Sequence, residues 1–86
     1  MIPFGESIRD LRDTFELSQL EVSRALGFHQ ATLSKIESGK QYLDPKAQAD
    51  LWCLVHNLGV QKAQRLATAA LLTGAAAWMA VEGAAA

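Results

Sequence analysis

The 86-residue sequence has a single cysteine, Cys53, so no intramolecular disulfide can staple the fold. Its place in an apolar helical pattern suits a reduced thiol in the core of a cytosolic protein. Strong basicity is also missing. The net charge is −1, which argues against a nonspecific nucleic-acid coat and leaves room for a specific binder. His29 and His56 lie far apart, one cysteine offers no ligand cluster, and there is no glycine-rich phosphate loop. No catalytic residue, metal or cofactor is therefore expected. The opening MIPFG holds neither a basic nor an apolar signal region, so the expected location is the cytoplasm.

What is present is helical periodicity. Phe4, Ile8, Leu11 and Phe15 recur at helical spacing with Arg9, Asp10, Arg12 and Asp13 between them, which predicts a first helix over residues 5–15. Leu17 then packs as the chain turns into Ser18. Ser18 with Glu21 three residues on is a capping box, so a second helix starts at Gln19. Val22 and Leu26 share its inner face, Ser23 permits a close crossing, and Gly27 stands where a left-handed residue would end it.

Phe28 can then plug the core and His29 takes the next N-cap position, in front of a third helix over residues 30–38 that Gly39 stops. Leu33 and Ile36 face inward in that helix. Gln30, Ala31, Ser34 and Lys35 are left on the outer side, with amide and ammonium groups suited to base edges and phosphates. Two short helices across a tight turn form a DNA-reading device. From Gln30 to Lys46 the charges sum to +1, against −2 over the first seventeen residues, so polarity favours docking the Gln30 face toward DNA.

Asp44-Pro45 is a strong helix start, and a fourth helix is expected to run to about Asn57, where Gly59 supplies the stop. Ala47, Leu51, Leu54, Val55 and Leu58 make its core stripe. Trp52 lies off that stripe, either over the surface or against the tail, and His56 is expected as a surface residue suited to the helix end. From Val60 onward 11 of 27 residues are alanine, and residues 66–81 carry no charge. This predicts a further helix, open to a break at Gly74. Leu71, Leu72, Trp78 and Met79 lie near one another on the wheel, beside a stripe of Ala63, Ala67, Ala70, Gly74 and Ala77, while Lys62, Arg65 and Thr73 mark the opposite side. So wide an apolar face points to packing on the chain's own domain and on a second copy, in a symmetric dimer. The alternative is a tail folded wholly against its own domain. A membrane span is not expected, because sixteen uncharged residues rich in alanine fall short of the usual length of about twenty strongly apolar ones.

Ser18-Gln19, Ala25-Leu26-Gly27, Gln30, Thr32-Leu33-Ser34-Lys35-Ile36-Glu37 and Gly39-Lys40 stand in gapless register. In this pattern the chain resembles the Cro/repressor-like helix-turn-helix family, of the xenobiotic-response-element type, over roughly residues 4–58. The resemblance implies an all-α, lambda-repressor-like domain. With the tail, five or six short helices are expected, divided into a DNA-binding unit at residues 1–58 and an alanine-rich dimerisation segment at residues 59–86. It also implies an ion pair between Arg12 and Glu37, tying the first helix to the third. Gln19 would meet a phosphate and Gln30 an adenine edge. Ala31 would touch a thymine methyl, Lys35 a guanine or a phosphate, and Thr32 and Lys40 phosphates. His29 departs from the family's usual Ser or Thr and places a titratable ring near the DNA backbone, as a pH switch or as ordinary solvated packing.

The expected function is a bacterial repressor that occupies an inverted-repeat operator on double-stranded DNA as a homodimer, of the kind carried by plasmids and phages. Its dimer contacts would come from Ala67, Ala70, Leu71, Gly74 and Trp78, and no small-molecule ligand is expected. Two alternatives compete: an antitoxin whose tail binds a toxin, and an adaptor that uses the same fold for a protein or membrane contact.

Overall fold

The computed structural model describes the backbone of residues 3–85 and the side chains of residues 3–72. Over these residues the chain forms four helices and no strand: α1 (Phe4–Thr14), α2 (Gln19–Leu26), α3 (Gln30–Glu37) and α4 (Pro45–Ala85).

The three short helices are ended by local chemistry. Each closes on a residue with positive φ: Glu16 at 55°, Gly27 at 77° and Gly39 at 79°. Backbone bonds reach back over each of these turns, from Leu17 to the Arg12 carbonyl (2.9 Å), from Phe28 to Ser23 (3.1 Å) and from Lys40 to Lys35 (2.8 Å). Such bonds satisfy carbonyls that a helix end leaves unpaired. At the start of α2 the Ser18 hydroxyl accepts from the Glu21 N–H (3.0 Å), and the Glu21 carboxylate accepts from the Ser18 N–H (3.2 Å). Asp44 caps α4 by accepting from the Ala47 N–H at 2.7 Å, with Pro45 in the first helical position.

α1, α2, α3 and the first half of α4 enclose one core of Ile8, Leu17, Val22, Leu33, Ile36, Leu51 and Val55. Phe4, Leu11, Phe15, Leu26, Phe28, Leu43 and Leu58 pack around it, half-buried. Ile8, Val22, Leu33 and Val55 are fully buried, each contributing roughly 1.5 to 3 kcal/mol of transfer free energy. Gly5 lets α1 approach the end of α3, because a Cβ there would overlap the carbonyl oxygens of Ile36 and Glu37.

The expectation of five or six helices is corrected to four among the described residues, because Gly59 does not stop α4. A glycine ends a helix by turning left-handed, as Gly27 and Gly39 do with open space around them. Gly59 is buried against Phe15, whose ring occupies the space a Cβ would need, so close packing is its role and the helix runs on. The helix also continues through Gly74. At 41 residues α4 is about 62 Å long, and the expected boundary between residues 58 and 59 falls inside it.

Four residues of α4 refine the expectations for that helix. Leu54 is 48% exposed and Cys53 is exposed, so neither belongs to the core. His56 is exposed as expected but sits in mid-helix and not at a helix end, its ring edge-on to Phe15 with centroids 5.8 Å apart. Trp52 is 40% exposed beside Phe4, Ser7 and Pro45, over the surface and not against the tail, which continues its own helix.

Candidate nucleic-acid interface

α2 and α3 hold the outer residues of α3 clear of the core. His29 caps α3 with extended backbone, its carbonyl accepting from the Thr32 and Leu33 N–H groups, and its ring makes no capping bond. Leu33 and Ile36 point inward and are buried. The same period leaves His29, Gln30, Ala31, Ser34 and Lys35 exposed, together with Lys40 beyond the turn. Thr32 is half-buried and lines an apolar cavity of about 310 Å³ with Leu26, Phe28 and Ile36, on the inner side of α3.

Behind this surface runs a chain of polar contacts. Glu37 closes α3 with a side chain only 4% exposed, and Arg12 on α1 meets it in parallel, Nε donating to Oε2 and Nη2 to Oε1, both at 2.9 Å. The remaining arm of Arg12, Nη1, donates to the Leu17 carbonyl at 2.8 Å, tying the α1–α2 turn to the same group. The hydrogen bonds to Glu37 raise the Arg12 pKa further, against the opposing effect of burial. A paired, fully bonded carboxylate is tolerable in such a place, whereas an unpaired one is not.

The chain then leads outward. Glu37 Oε1 also accepts from Gln19 Nε2 at 3.2 Å. A carboxylate can only accept, so Gln19 must offer it the nitrogen and turn its oxygen outward. That oxygen accepts from Gln30 Nε2 at 3.5 Å. Gln30 is thereby left with its carbonyl oxygen and one N–H facing solvent, an acceptor and donor side by side. Gln19, expected at a phosphate, is half-buried and committed to Glu37 and Gln30.

The tail residues are placed differently. Ala67, Ala70 and Leu71 are exposed, Leu71 by 71%, while the surroundings of Gly74 and Trp78 lie outside what the structure describes. Lys62 corrects a sequence expectation, for it turns toward the head. Its ammonium donates to the Glu16 carbonyl and to the Glu21 carboxylate, 3.2 Å from Oε2. The Ser18 backbone N–H, followed by Lys62, holds the Glu21 carboxyl below its ordinary pKa. Helical periodicity could not have found this contact, because the partners lie 41 and 46 residues away. Among the described residues no cluster could hold a metal ion and no helix is long and apolar enough to cross a membrane.

A family model described as helix-turn-helix matches residues 8–47, from the buried centre of α1 to the first turn of α4. No curated protein and no solved structure matches the chain.

Proposed function

We propose that the chain, in which a helix-turn-helix family model matches residues 8–47, is a DNA-binding transcriptional regulator of the Cro/repressor-like kind, a repressor acting as a homodimer on an inverted-repeat operator. It blocks transcription by occupying the site, in the cytoplasm of a bacterium and in the setting of a plasmid, phage or other mobile element. The observation that carries this reading is the exposed row on α3, fixed from behind by the contacts among Arg12, Glu37, Gln19 and Gln30.

In this reading α3 lies in the major groove with Gln30 as the principal base reader. Its free oxygen and N–H match the N6 donor and N7 acceptor of adenine. Ala31 meets a thymine methyl, Lys35 a guanine edge or a phosphate, and His29, Ser34 and Lys40 the sugar-phosphate backbone, while Thr32, expected at a phosphate, is turned to the inner side of α3 and makes no DNA contact in this reading. Gln19 acts mainly by aiming Gln30. The alanine-rich segment after residue 58 supplies the dimer contact through Ala67, Ala70, Leu71, Gly74 and Trp78, since Leu66, Leu71 and Leu72 are more than half exposed.

Selection of bound sequences from a random DNA pool tests the proposal. The protein is expected to enrich inverted repeats whose half-sites lie about 34 Å apart, one helical turn, or a multiple of it. Gln30→Ala should cost about 1 to 3 kcal/mol and relax preference at one base pair per half-site, while Lys40→Ala should weaken all sequences alike. A pool without enrichment would overturn the reading, and an unchanged preference in Gln30→Ala would overturn the role of that residue.

A further inference from the structure

The tail and the DNA-reading unit meet at one basic side chain. After Leu58, α4 touches the head at Gly59, beneath the Phe15 ring, and at Lys62, whereas residues 63–72 are all exposed. Lys62 is therefore the last anchor before the helix leaves the head. Its two partners lie on the α1–α2 turn and on α2. One is the carbonyl of Glu16, a non-glycine residue held at a φ of 55°, and the other is Glu21, the carboxylate of the capping box that starts α2. A swing of α4 about the head would break contacts at both places at once.

We propose that Lys62 is a positioning residue that locks the tail helix to α2, so that the geometry of the dimer contact sets the angle and separation of the two recognition helices. This rests on the homodimer proposed above. The tail is a continuous helix, so it carries orientation from the dimer contact to its root. Core packing of Leu51, Val55 and Leu58 and the seat of Gly59 under Phe15 hold the root, and the ammonium, bridging the turn and the cap, restrains its remaining freedom to tilt. Without the bridge, Gly59 and the core side of α4 still hold the head together, but the lever turns more freely and the half-sites need not be spaced so strictly.

The experiment compares binding to the selected repeat with binding to the same repeat carrying one or two extra central base pairs. It uses the full chain, Lys62→Met, Lys62→Arg and Glu21→Gln. The unaltered protein should discriminate between the two spacings by about 100-fold, of the order that joining two half-sites provides, and Lys62→Met by about tenfold or less. Lys62→Met should still sediment as a dimer and bind an isolated half-site like the unaltered protein. Lys62→Arg, which can donate to a carbonyl and a carboxylate together, should restore the discrimination. Glu21→Gln should move in the direction of Lys62→Met. If Lys62→Met keeps full spacing discrimination, or becomes a monomer, the positioning role is overturned while the repressor dimer stands. If the unaltered protein is itself a monomer, the dimer falls and the inference with it.

Discussion

In the head, up to Lys62, a core of apolar side chains from all four helices finds partners on other elements, and Ile8, Val22, Leu33 and Val55 lose all contact with water. Four to ten residues further along the same helix, Leu66, Leu71 and Leu72 keep 58%, 71% and 69% of their surface exposed. The two regions share one backbone and differ in what maintains it. In the head, short helices of 8 to 11 residues, too short to persist alone, are held by packing, caps and the Arg12–Glu37 pair. In the tail the alanine content supports the helix by intrinsic propensity, and its apolar side chains remain available to a second surface. A helix can thus be specified without a core, but its apolar face then calls for a partner.

Truncation should separate the regions most sharply. A chain ending after Gln64 keeps both anchors, Gly59 and Lys62, whereas one ending after Leu58 loses them. Both should sediment as monomers and bind the full operator about 100-fold more weakly or worse, because the half-sites are no longer engaged as a unit. Only the shorter one should also melt at a lower temperature. A dimer persisting in the chain that ends after Gln64 would place the interface in the head.

Within the head, Arg12→Ala should be the costliest change outside the apolar core. It leaves Glu37, nearly buried, with Gln19 as its remaining side-chain donor, and should lower stability by about 3 kcal/mol, the lower end for a broken buried pair. Combining it with Glu37→Ala should cost less than the sum of the single losses in urea melts. Additive losses would mean that the pair carries no coupling.

The smallest expected effect concerns Glu21. Its carboxyl lies below its ordinary pKa in the folded chain, through the Ser18 N–H and then Lys62. The stabilisation is therefore complete above the unfolded carboxyl's value and is lost as pH falls through the lower folded value. The difference in melting temperature between the unaltered protein and Glu21→Gln should shrink over that acidic window and stay flat at neutral pH. The group is well exposed, so the effect should also weaken with salt. A difference that grew on acidification would contradict the assignment.

Much of the head was legible because its signals are local. Ser18 and Glu21 form the capping box that their spacing announced, Asp44 and Pro45 start α4, and Gly27 and Gly39 turn left-handed at the ends of α2 and α3. The inward faces of α1, α2 and α3 followed from period alone. Leu54 and Cys53 were misplaced because period says which residues share a face, and not how far a neighbouring element extends to cover it. At Leu54 the neighbouring surface is an open cavity lined by Leu26, Phe28 and Leu43.

What the sequence by itself determined is where α2 and α4 begin and where α2 and α3 turn, since caps and left-handed glycines act within a few residues of themselves. Gly59 and Lys62 were decided elsewhere. The same residue type that ended α2 and α3 continues α4, because a glycine leaves the helix only when nothing rewards staying in it, and here the Phe15 ring fills the space that its missing Cβ opens. Lys62, on a face that the wheel assigned to solvent, turns to Glu16 and Glu21 because α1 and α2 bring an uncapped carbonyl and a carboxylate within its reach. Contacts across 41 and 46 residues leave no trace in a local pattern, and only the packing of the helices joined the tail to the head.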